Sequence, residues 1–110
     1  MKVAMPVWEG RISPVFDAAR RLMVVDVIQD MEIKRREVPL GGVSPLYRVR
    51  RMADLGVDVL ICGGISRSYV DLMDAFTIAV VPWITGEPEQ ILTAYLRGDL
   101  PSLQFAMPGH

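Results

Sequence analysis

This chain is sparing with the side chains that most often carry chemistry. It has one cysteine, Cys62, closing the apolar run in 59-VLICGGISRS-68, and one histidine, His110, its last residue. A Ser/His/Asp or Cys/His nucleophilic relay would have to recruit that terminal histidine, which argues against a hydrolase of that kind. A closed zinc site takes about four Cys, His or carboxylate ligands, so one thiol and one imidazole argue against zinc, and Cys62 and His110 are left as the candidate metal ligands. GGISRS lacks the Lys-Ser/Thr ending and the glycine spacing of a phosphate-binding loop, and GGIS is not a dinucleotide fingerprint. Asp17, Asp26, Asp58 and Asp71 could build two-metal nuclease chemistry if they converged, yet Asp26 and Asp58 flank or interrupt apolar strands where side chains usually face loops.

What remains is binding, and its location depends on the elements. Residues 2–8, KVAMPVW, read as a strand with Pro6 marking a bulge or an end nearby. ISPVFDAARR offers turn residues and a single helical turn at Phe16–Arg20. Residues 21–28 and 32–38 read as a hairpin across Gln29–Asp30–Met31, the second strand an exposed edge because of its arginines. Ser44 and Pro45 make an N-cap and first-turn pair and Gly56 a stop, with Leu46, Val49 and Ala53 on one helix face. Residues 57–62 and 77–83 are nearly continuously apolar, as in parallel strands covered on both sides. Helices follow at about 66–76, with Ser68 and Asp71 in capping-box spacing, and from Pro88 to Gly98, burying Ile91, Leu92 and Tyr95. The order β-β-β-α-β-α-β-α predicts an α/β fold: a five-stranded mixed sheet between helices on both faces, three layers in all. One domain spans 1–100, and 101–110 is expected to be an irregular tail.

In an open α/β sheet, ligands favour the crevice outside the carboxyl ends of parallel strands. Trp8–Glu9–Gly10, Cys62–Gly63–Gly64 and Trp83–Ile84–Thr85–Gly86 should meet there as two aromatic walls and a glycine floor. Gly63 and Gly64 let backbone approach a ligand, the helix behind them favours an anion, and Ser66, Arg67 and Ser68 add donors. The plainer alternative is equally open: the glycines serve the turn and Cys62 packs, since free cysteines are among the most buried residues. Ser13 and Pro14 can likewise be turn residues, and Phe16 core.

Half of the residues are hydrophobic and 23% are charged, the balance of a compact globule. The net charge of −1 gives no general pull toward nucleic acid, although ten of the twelve basic residues are arginines. The clusters at Arg35–Arg36 and at Arg48, Arg50 and Arg51 form either a local positive face or a solvated surface, with Arg50 and Arg51 near Asp54 at helical spacing. No apolar run approaches the roughly 18 residues that span a bilayer, and no signal peptide precedes the first strand, so no membrane contact and a cytoplasmic location are expected.

Three segments together carry a resemblance: KVAMPVWEGRISPVFDAARRLMVVDV, GVDVLICGGI and EQILTAYLRGDL. Over roughly residues 2–100 the chain resembles the dinitrogenase iron-molybdenum cofactor biosynthesis family. The resemblance implies a ribonuclease H-like fold and a non-enzymatic protein that binds, carries or inserts an anionic metal–sulfur cluster, of the iron-molybdenum type or another Mo/Fe–S kind. Its implied partners are cluster-assembly or acceptor metalloproteins, and its implied binding residues fall among Trp8, Gly10, Ser13, Phe16, Cys62, Gly63, Gly64, Ser66, Arg67 and Trp83. Against the family's common pattern, Val15 stands where a histidine is frequent, Asp17 and Ser66 where glycines are, and the Cys/His-rich tail is reduced to His110. These departures keep a second reading open, a cofactor-free interaction or regulatory module on the same fold.

Overall fold

The computed structural model describes residues 1–42, 44–102 and 104–108. Its sheet is built outward from β1 (Lys2–Trp8), which lies between antiparallel β3 (Arg21–Ile28) and parallel β5 (Val59–Ile61). β4 (Met31–Pro39) is added outside β3 and β6 (Ala79–Val81) outside β5, giving the order β4-β3-β1-β5-β6. This is the expected mixed five-stranded sheet. A sixth strand, β2 (Arg11–Ile12), folds back on the end of β1, where the sequence suggested only a turn.

Local chemistry explains most boundaries. Gln29 and Asp30 both take positive φ, 53° and 62°, as a two-residue hairpin turn of the right twist requires. Met31 therefore already pairs with Ile28 and is not part of the turn. Ser44 caps α1 (Pro45–Asp54), its Oγ accepting from Tyr47 N–H at 3.4 Å. At α2 (Arg67–Ala75) the cap is Ser66, accepting from Tyr69 N–H, and not the expected Ser68. α3 (Pro88–Leu96) opens on its proline, whose missing N–H costs nothing there. The 3₁₀ turn Phe16–Ala18 falls where a single helical turn was expected.

Two cores make three layers. On one face Ala4, Leu22, Val24 and Leu60 pack with Val49 and Met52 of α1 and Tyr69 and Met73 of α2. On the other, Val3, Met5, Val25 and Ile61 pack with Ile91, Leu92 and Ala94 of α3. The alternation of Val3, Ala4 and Met5 between the two clusters is the period-two geometry of a strand covered on both sides.

One expectation about α1 needs correcting, and the tail shows contacts that no expectation covered. The buried stripe of α1 is Arg48, Val49 and Met52, while Leu46 is about half exposed, so Arg48 is neither a solvated nor a positive-face residue. The described part of the tail has no regular element, yet it is tied down. Phe105 is buried in the second core, its carbonyl accepts from Thr85 N–H at 2.7 Å, and Met107 N–H donates to the Trp83 carbonyl at 2.9 Å. Among the described residues no helix is long and apolar enough to cross a membrane.

Candidate functional site

The loops after β1, β5 and β6 gather at the carboxyl end of the parallel strands, and they knit to one another. Cys62 N–H donates to Val81 O, Trp83 N–H to Gly63 O, and Ile84 N–H to Cys62 O, which carries the parallel pairing past the ends of the strands. Across the other side of the glycines runs Ser13–Pro14–Val15. Gly64 N–H donates to Pro14 O at 2.7 Å, and Phe16 N–H donates to Gly64 O at 2.8 Å.

The glycine floor is therefore covered by the chain itself. A Cβ on Gly63 would stand 2.5 Å from the Pro14 carbonyl oxygen and 2.9 Å from that of Ser13, both backbone atoms. One on Gly64 would stand 3.3 Å from Pro14 O and from the Trp83 ring. Both glycines are buried. Close backbone approach is what they allow, but the approaching backbone belongs to residues 13–15.

Beneath this floor Cys62 is fully buried in the first core. Burial, with a smaller push from the Asp17 carboxylate, raises its thiol to about 12, so it is a neutral packing group rather than a thiolate near neutral pH. Phe16 is also fully buried, meeting Tyr69 edge-on with centroids 5.0 Å apart, and presents no surface to a ligand. The anion-favouring start of α2 carries an internal carboxylate: Asp17 Oδ1 accepts from Ser66 N–H at 3.1 Å. Arg67 points to solvent and meets Asp71 at 3.6 Å.

Trp83 closes the floor from the β6 side. Its φ of 64° is left-handed, a strained conformation for a bulky residue that persists only when its surroundings hold it. The bonds to Gly63 and Met107, and the ring against Gly64, supply that hold.

The open space lies on the β1 side. Trp8, 62% exposed, stands between two clefts. One, of about 330 Å³, runs from Gly10 past Arg21 and Arg35 to Pro88 and Glu89. The other, of about 310 Å³, is lined by Trp8, Ser13, Pro14, Val15, Ala18, Ala19 and Arg20. It is mostly apolar, with the buried Ser13 and the cation of Arg20 as its polar features.

Of the expected residues, the structure thus brings Trp8 and Ser13 to the same cleft, with Gly10 on the far side of Trp8. Gly63, Gly64, Ser66 and Trp83 surround the closed floor, and His110 lies outside the described residues. Arg20 and Ala18 are cleft residues that the sequence reading passed over; the place of Arg20 just after the ISPVF segment was the available signal.

The four aspartates do not converge. Asp26 pairs with Lys2 Nζ at 3.6 Å and Asp58 accepts from Lys2 N–H at 2.8 Å, both at the start of β1, while Asp17 sits at its far end and Asp71 on α2. Among the described residues no three His, Cys, Asp or Glu side chains are placed to hold a metal ion. The two-metal nuclease arrangement is not built here.

Residues 1–98 match the family model described as dinitrogenase iron-molybdenum cofactor. No curated protein matches the sequence. Among solved structures, PH0822 superposes with a TM-score of 0.83 at 22% identity, covering 89% of this chain and 92% of that one. A dinitrogenase-related protein of Methanocaldococcus jannaschii gives 0.77 at 16% identity, over 96% of both chains. The apo form of the orange protein from Desulfovibrio gigas gives 0.75 at 21% identity, covering 96% of this chain and 94% of that one. At these identities the superpositions establish a shared fold.

Proposed function

The chain belongs to the dinitrogenase iron-molybdenum cofactor family, and we propose that it is a non-enzymatic, cytoplasmic carrier of an anionic metal–sulfur cluster. The cargo is of the iron-molybdenum type, a precursor of it or another Mo/Fe–S cluster, passed between assembly and acceptor metalloproteins. The observation that carries this reading is the cleft between Trp8 and Arg20 at the carboxyl end of β1. A sulfide-coated cluster presents a large polarisable surface and a negative charge. An indole, a proline and a valine offer the first a wall, and a guanidinium answers the second.

Holding by shape and charge suits a carrier, which must release what it holds. It also fits a fold in which Cys62 is neutral and buried, so that no thiolate bond to the cargo is required. On the other side of Trp8, Arg21 and Arg35 are paired with Glu37 and Glu89, and Glu9 adds a third carboxylate, so charge favours the Arg20 side for an anion.

The test is anaerobic reconstitution with iron, sulfide and thiomolybdate, followed by desalting, metal analysis and absorbance spectroscopy. A stoichiometric cluster retained by the native chain and lost from Trp8→Ala is the expected result. No bound metal and no charge-transfer absorbance would leave the cofactor-free interaction module as the better reading, a reading favoured by the Asp17 carboxylate already seated at the start of α2.

A further inference from the structure

Arg48 is a buried cation whose charge the described residues do not balance. It is 5% exposed, lies on the inward face of α1, and meets no carboxylate within ion-pair distance among the described residues. Its Nη1 donates to Ala19 O at 2.9 Å and Leu40 O at 3.4 Å, its Nη2 to Phe16 O at 2.7 Å, and its Nε finds no acceptor. The rings of Phe16 and Tyr69 lie 5.1 and 5.7 Å from the guanidinium carbon. Carbonyl dipoles and ring faces solvate the charge in part, but a buried cation is ordinarily paired with an anion.

Arg48 also lines a cavity of about 480 Å³ between the 3₁₀ turn and the glycine loop after β4, together with Asp17, Ala18, Ala19, Arg20, Leu40, Gly41 and Gly42. Arg20 makes no ion pair among the described residues. Neither Gly41 nor Gly42 spends its N–H on a backbone acceptor among the described residues, and both residues line the cavity. Against these donors stands one carboxylate, Asp17, with one oxygen committed to Ser66 N–H.

We infer that this cavity is a binding site for a tetrahedral oxyanion of the phosphate or sulfate type, separate from the cleft at Trp8. Arg48 supplies a fixed positive floor, Arg20 an exposed cation at the rim, and the two glycine amides the directional donors. Guanidinium groups and backbone amides are the usual partners of such oxyanions. The site needs no metal and no cluster. It shares the 18–20 turn, Arg20 included, with the Trp8 cleft, so the Gly41 and Gly42 amides, which only this cavity contains, are the readout that tells an anion here from one beside Trp8.

The experiment is a titration of the ¹⁵N-labelled native chain with inorganic phosphate, with sodium chloride at matched ionic strength as the control. Saturable shifts of the Gly41, Gly42 and Ala18 amides are expected, with a dissociation constant on the order of 1 mM. Arg48→Ala would disturb the fold, so the discriminating variant is Arg20→Gln, an exposed position, which should weaken phosphate about tenfold while leaving the unliganded spectrum native. A phosphomonoester run in parallel tells a free oxyanion from the end of a larger ligand: equal or tighter binding means the cavity admits a substituent. Shifts no larger than the chloride control, or saturable shifts unchanged in Arg20→Gln, would overturn the assignment.

Discussion

The glycine turn after β5 and the arginine cavity behind α1 lie on either side of Phe16, and they solve opposite problems. At Gly63–Gly64 the missing side chains make room, and residues 13–15 and the Trp83 ring fill it. At Arg48 a long charged side chain is driven inward, where it gathers the carbonyls of Phe16, Ala19 and Leu40 from two separate loops. The turn rich in ligand-like features is closed, and the region that looked like ordinary helix surface is the one beside open space. Small residues show that something comes close without saying whether it is ligand or chain. A buried unpaired charge is more specific, because it costs free energy until something answers it.

The comparison breaks most readily at Arg48. Arg48→Met keeps much of the side-chain volume but leaves three inward carbonyls without their donor, and should cost about 3 kcal/mol of stability in urea unfolding. A loss under about 1 kcal/mol would mean that water serves those carbonyls as well as the guanidinium does.

Next comes the glycine turn. Gly63→Ala must push the Ser13 and Pro14 backbone away from a contact of 2.5 Å, at about 2 kcal/mol, the cost of overpacking a site that cannot give. Gly64→Ala, at 3.3 Å, should cost clearly less, roughly 1 kcal/mol. Equal costs for the two would show that the segment 13–15 yields easily and that the floor can open to a ligand.

The effect that is smallest near neutral pH belongs to Cys62, and it grows only as the solution is made alkaline. In the fold its thiol holds the proton to about 12, against an ordinary value of about 9, so between those values the unfolded chain has lost a proton that the native chain keeps. The thiol's contribution is therefore intact below about pH 9 and declines as pH rises toward 12, by up to about 1.4 kcal/mol per pH unit. Tyr69, also raised by burial, acts in the same direction. Unfolding at pH 8 and pH 10 in the native chain and in Cys62→Ala isolates the thiol: the variant should show the shallower decline. Identical declines would place Cys62 in contact with solvent.

Much of the fold was legible because its signals are local. Apolar runs at 57–62 and 77–83, the Ser44–Pro45 start and the glycines and polar residues at the turns each act within a few residues, and β5, β6 and α1 appear near where they were expected. The misreadings are instructive at the same scale. Helical spacing predicts Leu46, Val49 and Ala53 as the inner face of α1, yet the buried residues are Arg48, Val49 and Met52, with Arg48 at position i−4 from Met52. The methionine was the available sign that the arginine turns inward. Ser68 and Asp71 have capping-box spacing, yet Ser66 is the cap, because the course of the chain out of Gly64 brings Ser66 to the first free amides of α2.

The site was legible in outline and not in detail. That loops after β1, β5 and β6 meet follows from the order of apolar strands and the handedness of their crossovers, which sequence pattern determines. Whether the meeting place is open or filled depends on contacts between residues far apart in the chain: Pro14 with Gly64, Asp17 with Ser66, Trp83 with Met107. The sequence by itself determined the elements, their order and the family, because periodicity, capping and turn chemistry are short-range. Only the tertiary structure decided that Gly63 and Gly64 receive backbone rather than a ligand, that Cys62 is a neutral core residue, and that Arg48 turns inward with no carboxylate partner among the described residues. Those outcomes are set by packing and electrostatics across the fold, where no local pattern records which segment arrives first in the available space.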